Sequence, residues 1–212
     1  MSQAEVTLHV ARPPTNVDIT VGNAVISPAS STAIGKTDCN AANLIFNGDA
    51  ETGDSRSWYI RGNLDDLGYI DIVQPGYSGN YAFKHTGQRT RMKTSMVQFL
   101  DMACFPAGST WSISAKFIFV QTDESGNDIP VACEVNCPGF EFLVSEGGYE
   151  ETTGYLENLL TGDMTVGDWN SYSATFSVTD SMALRKELWV VVSGVQPGFN
   201  YYLDDIVLSR VS

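Results

Sequence analysis

Downstream of residue 42, apolar and polar residues alternate with a period of two in short runs separated by turn-forming residues. Such alternation turns one side of each run toward a core and the other toward solvent, which predicts strands. The runs cover 43–46, 57–61, 69–73, 81–86, 94–102, 110–121, 139–145, 170–178, 187–194 and 200–209. Pro75-Gly76, Ser78-Gly79-Asn80, Ser125-Gly126-Asn127 and Pro197-Gly198 fall between them, as tight turns require. Only 155–160 and 182–187 carry a helical pattern, for a turn or two each. The expected fold is all-β, a sandwich of two antiparallel sheets.

The first 38 residues differ from the rest. They hold no Phe, Tyr, Trp or Cys, which sets a boundary near 36–38 and divides the chain into an extension, 1–38, and a domain, 39–212. Within the extension, 5–12 and 17–27 still alternate, split by Arg12-Pro13-Pro14, so an N-terminal β-hairpin is expected. Shifting 8–30 onto 190–212 aligns strand, proline-containing turn and strand, with Val10/Val192, Val25/Val207, Ser27/Ser209 and Ser30/Ser212 identical. Two readings stay open. The extension is the last hairpin of a preceding repeat in a tandem array, or it is a plain extension docked on the sheet.

The formal net charge of −13 argues against nucleic acid or an anionic membrane as partner, because phosphate binding needs clustered Lys and Arg. The longest strongly apolar run, 188–195, is far shorter than the roughly 20 residues that cross a bilayer, so membrane insertion is not expected. Carboxylates in this excess suit a solvated surface or the capture of a hard cation.

Cys39, Cys104, Cys133 and Cys137 fit no zinc spacing, and the chain offers only two histidines to complete one. Disulfides are the favoured reading, with four buried thiols as the alternative. Of three possible pairings, Cys39–Cys104 with Cys133–Cys137 is preferred, because the latter two flank a short loop bounded by Pro and Gly. Bridged cysteines imply an oxidising compartment, hence an extracellular or cell-surface protein whose secretion signal lies outside these residues.

The most specific stretch is Asn43-Leu44-Ile45-Phe46-Asn47-Gly48-Asp49-Ala50-Glu51-Thr52-Gly53, followed by Trp58. It resembles the opening of carbohydrate-binding modules of families four, nine and twenty-two, within the wider galactose-binding-like jelly rolls. Further matches follow in order: Gly76-Tyr77-Ser78-Gly79-Asn80-Tyr81-Ala82, then 106–115 with Trp111, Gly167-Asp168-Trp169-Asn170, and Asn200-Tyr201-Tyr202-Leu203-Asp204-Asp205-Ile206. The resemblance spans about residues 43–209. It implies a jelly roll and a structural calcium held by Glu51, at the end of the first core strand, and Asp204. Asp49 and Asp205 are weaker candidates, and turn or solvent-facing acids are the alternative for those two. Calcium takes six to eight oxygens, so backbone carbonyls would complete the set.

Polysaccharide recognition needs flat aromatic faces against the apolar side of a sugar ring, with polar groups for its hydroxyls. Trp58 and Tyr59 beside Arg56 and Arg61 fit that need, as do Tyr69, Tyr149 and Tyr155 with Gln98 and Glu141. Trp111, Trp169 and Trp189 are expected to pack. Catalysis is not expected. His9 lies in the extension and His85 in a strand, which supplies a nucleophile–base pair poorly; a glycosidase pair drawn from the acids stays open as a minor alternative. The leading expectation is a non-catalytic polysaccharide-binding module with a structural calcium. The alternative is a structural or adhesive repeat of a cell-wall protein, partnered by neighbouring copies.

Overall fold

The computed structural model describes residues 38–61, 67–89, 95–133, 138–145, 151–153, 164–193 and 196–211. The chain divides between Lys36 and Thr37, and all described residues lie beyond that point. The expected N-terminal hairpin and the helical turn at 155–160 lie outside the described residues.

Two antiparallel sheets carry the described strands. In one, the order is β1 (Tyr59–Arg61), β4 (Ser95–Asp101), β10 (Glu187–Ser193), β7 (Gly139–Ser145) and β8 (Glu151–Thr153). In the other it is β2 (Leu67–Val73), β3 (Ala82–Arg89), β11 (Phe199–Arg210), β5 (Thr110–Thr122) and β6 (Asp128–Pro130). A further strand, β9 (Asn170–Ser177), lies along the first part of β5. This is the sandwich that the alternation predicts. Every expected run from 57 onward coincides with a strand to within three residues at either end. The helical turn α1 (Asp180–Ala183) starts earlier than the expected 182–187, because the Thr179 hydroxyl accepts from the Met182 amide at 3.2 Å and caps it there.

The core follows from the same period. Trp111, Ile113, Ala115, Phe117 and Phe119 are the inward set of β5, and they meet Phe142, Leu188 and Val190 from the facing sheet. Ring pairs tie the layers, with Phe105 4.6 Å from Trp111 and Phe142 4.0 Å from Phe176. Removing this aromatic area from water is the main stabilising contribution.

Residues 43–46 are a correction, for they form no strand and Glu51 ends none. Side-chain amides take the place of a neighbouring backbone. Asn43 donates from Nδ2 to the Ile206 carbonyl (2.9 Å), and its Oδ1 accepts from the amides of Ile45 (2.9 Å) and Leu208 (2.8 Å). Gln98 accepts from the Phe46 amide (2.8 Å) and donates to its carbonyl (2.9 Å). A bulge in β11 between Asp204 and Val207 breaks its pairing with β5 there, and the Ile206 amide donates instead to Gly48 O (2.9 Å). This contact explains the glycine in Asn47-Gly48: a Cβ there would lie 2.1 Å from Ile206 O. Gly48→Ala should therefore cost about 2–3 kcal/mol, the scale of overpacking against backbone, measured by urea denaturation.

Cys39 and Cys104 are joined as expected, with Cα atoms 4.9 Å apart. Cys133 is also disulfide-bonded, and its expected partner Cys137 lies outside the described residues.

Candidate functional site

The outward side of the five-stranded sheet is unlike an ordinary solvated surface. Register places Tyr59, Val97, Val191 and Glu141 in one row across β1, β4, β10 and β7, and Phe99, Trp189 and Leu143 in the next. Val97, Leu143, Trp189 and Val191 form an apolar cluster of their own, separate from the core between the sheets. Two rings stand out from it: Tyr59 is 55% exposed and Phe99 44%. Their centroids are 5.6 Å apart, and Phe99 meets Trp189 edge-on at 4.9 Å. The Trp189 indole N–H donates to Glu187 Oε2 at 3.0 Å, which fixes the ring that supports Phe99. Arg61, paired with Ser95, and Glu141 border the rings with opposite charges on the same face.

Three of the expected sugar contacts therefore share this face: Tyr59, Arg61 and Glu141. Others do not. Trp58 is only 3% exposed; it points inward, packs 5.9 Å from Phe83 and donates to Asn47 O at 3.4 Å. Gln98 is 2% exposed and committed to the Phe46 backbone. Both are corrections, since neither can meet a ligand, and in both cases strand parity is the cause: each is one residue out of step with an outward ring. Tyr69 is exposed but lies on β2 of the other sheet. Arg56 is held by Asp54 at 2.5 Å. Tyr149 and Tyr155 lie outside the described residues. Phe99 was missed, although its parity with Val97, against Met96 and Leu100, could have revealed it. Trp189, expected to pack, does so on the outward cluster.

The acids distant in sequence meet around one turn, Gly76 to Tyr81. Glu51 Oε1 accepts from the amides of Asn80 (2.7 Å) and Tyr81 (2.8 Å). Asp204 Oδ2 accepts from the Tyr77 amide (2.6 Å), and Asp205 Oδ1 accepts from the Ser78 hydroxyl (2.6 Å). Asp49 Oδ1 accepts from the Glu51 amide at 3.3 Å. Hydrogen bonds from Tyr81 and Asn80 hold the Glu51 carboxyl below its ordinary range. Asp204 is fully buried, and that burial pushes its carboxyl up to about 6 despite the amides that favour its charge.

A carboxyl raised in the folded state binds its proton more tightly there than in the unfolded chain. Its contribution to stability is therefore full near pH 4 and is lost as pH rises through about 6. In chelator-treated protein, the wild type should lose about 2–3 kcal/mol more than Asp204→Asn between those limits, read from urea melts at each pH.

As a cation site the turn is partial. Among the described residues no group of three acids, histidines or cysteines is placed to hold a metal ion, so two carboxylates would need backbone oxygens beside them. The crowding fits such a role: a Cβ on Gly76 would lie 2.2 Å from Tyr81 O and 2.9 Å from Asp204 Oδ2, and one on Gly79 would lie 2.2 Å from Glu51 Oε1. Both glycines let backbone approach carboxylate oxygen. Gly79→Ala should displace Glu51 and lower the melting temperature by about 2–4 °C, the equivalent of about 1 kcal/mol.

No family model matches the chain. It is 25% identical over 167 residues to endo-1,4-beta-xylanase A of Thermoanaerobacterium saccharolyticum, covering 79% of this chain and 13% of that protein. It is 24% identical over 172 residues to exoglucanase XynX of Acetivibrio thermocellus, covering 81% and 14%. The chain thus spans about a seventh of the length of these curated relatives. Among solved structures, it superposes on the second family 22 xylan-binding domain of Paenibacillus barcinonensis Xyn10C with a TM-score of 0.55 at 14% identity, over 77% of this chain and 98% of that one. It also matches the C-terminal family 22 carbohydrate-binding module of Clostridium thermocellum Xyn10B, with a TM-score of 0.53 at 13% identity, over 76% and 89%. The described residues thus share the fold of these family 22 modules, a jelly-roll β-sandwich.

Proposed function

We propose that this chain is a non-catalytic module that binds a polysaccharide across the outward side of its five-stranded sheet. The observation that carries this reading is the exposed Tyr59–Phe99 pair, seated on Trp189 and bordered by Arg61 and Glu141. Two rings at this spacing offer successive sugar units an apolar floor, and the charged borders offer hydrogen bonds to their hydroxyls. The ligand class is a β-1,4-linked polysaccharide of the xylan type, supported by the xylan-binding neighbours in fold and the xylanase relative. Affinity electrophoresis tests it. Retardation on xylan is expected, and free migration on xylan and on other cell-wall and storage glycans, with the fold intact, would overturn it in favour of a structural or adhesive repeat.

The same proposal includes a calcium that braces the Gly76–Tyr81 turn. Glu51 and Asp204 would hold it, aided by backbone oxygens, with Asp205 and Asp49 as the weaker candidates beside them. The ion would supply charge to a turn that already gathers distant acids, and it would take no part in a reaction. Chelation should lower the melting temperature, and Glu51→Ala should abolish that response; a melt indifferent to chelator removes the calcium while leaving the sugar reading intact. The Cys39–Cys104 bridge supports an extracellular location.

A further inference from the structure

Arg89 closes β3 with its side chain turned into the protein. It is only 4% exposed, yet Nε, Nη1 and Nη2 all lack a hydrogen-bond partner. The local backbone explains why it can turn inward. Leu67 pairs with Arg89 but Tyr69 with Thr86, so β2 and β3 slip out of register at Gly68. Gly68 has φ +67, and a Cβ there would lie 2.4 Å from Thr86 O and 3.2 Å from both Arg89 Cγ and His85 Nε2. The missing side chain leaves the space that Arg89 and His85 share.

The neighbours of the guanidinium do not neutralise it. His85 Nδ1 is 2.9 Å from the Tyr201 hydroxyl, and the Met96 amide donates to that oxygen from the facing sheet. Burial pushes the Tyr201 hydroxyl well above its ordinary range, so it stays neutral and is no counter-ion. Imidazole supplies no negative charge in either of its usual forms. Burial lowers the Arg89 pKa, but a guanidinium starts so high that it keeps its proton in proteins. No carboxylate among the described residues pairs with it. A buried, unpaired cation is strongly unfavourable, whereas one paired with an anion and fully hydrogen-bonded is not.

We infer that Arg89 holds a small inorganic anion of the chloride class, enclosed between the sheets as the domain folds. Five N–H donors in a planar fork suit such an ion. The near-complete burial leaves no opening for a sugar or a peptide, which sets this site apart from the face around Tyr59 and Phe99.

Thermal melts in sodium chloride and in sodium gluconate, at equal ionic strength and fixed calcium, test the site directly. Chloride should raise the melting temperature by about 2–4 °C between 1 and 100 mM in a saturating curve, as for a Kd near 10 mM, roughly. Arg89→Met, which keeps the apolar stem, should lose that response. Identical curves in the two salts, or a response that survives in Arg89→Met, would overturn the inference. If the variant does not fold, crystals of wild-type protein refolded in bromide decide: an anomalous peak in contact with the guanidinium supports the site, and its absence refutes it. Neither result bears on polysaccharide binding.

Discussion

Tyr59→Ala and Phe99→Ala should each weaken retention on xylan about tenfold, and the double variant about a hundredfold. Each ring is an exposed anchor, and truncating such an anchor at the centre of a binding surface costs about 1.4 kcal/mol or more, which is a factor of ten. Their exposure also protects the test. Substitutions at such surface positions usually move stability by less than about 0.5 kcal/mol, so lost binding would not reflect lost structure. Tyr69→Ala serves as the control: it removes an equally exposed ring from the other sheet and should leave retention unchanged. A double variant with wild-type retention would place the ligand elsewhere.

Removing the Cys39–Cys104 bridge is expected to have the largest effect on stability. The two residues are 65 apart in sequence, and closing a loop of that size is worth about 4 kcal/mol in the chain-entropy model. For a domain of this length the melting temperature should fall by about 8–16 °C. The double variant Cys39→Ala/Cys104→Ala measured by calorimetry checks it, and a fall of less than about 2 °C would mean that the unfolded chain is already restricted without the bridge.

The fold was legible because strand periodicity is local. From residue 57 onward, each run announces its own two faces, and no distant information is needed to place it in a sandwich. Four kinds of feature escaped the local pattern. β6 and β8 are three residues long, too short to show a period. Residues 43–46 alternate like a strand, yet their backbone is satisfied by the side chains of Asn43 and Gln98, and nothing in the local pattern says that a side chain will replace a neighbouring strand. The binding face failed in part for a different reason: residue chemistry was weighed ahead of parity. Trp58 and Tyr59 are adjacent and so point to opposite sides, as do Gln98 and Phe99. Choosing both members of either pair for one surface conflicts with the period that predicted the strands. The gathering of Glu51, Asp204 and Asp205 on one turn could not be read from spacing at all. It depends on where 76–81 crosses the bulge of β11, and only the resemblance to known jelly rolls pointed there.

The bridge at Cys39 also has a mechanical meaning. Leu44 and Leu208 are joined through their backbones as antiparallel neighbours, so the chain enters beside β11 and departs at the same end of the sandwich. Tension applied between entry and exit would unzip such contacts one at a time, the weakest way to load hydrogen bonds. The sulfur link reroutes that force. A pull arriving from upstream passes covalently from Cys39 to Cys104, in the short helical turn that follows β4, and bypasses the Asn43 amide until the disulfide is reduced.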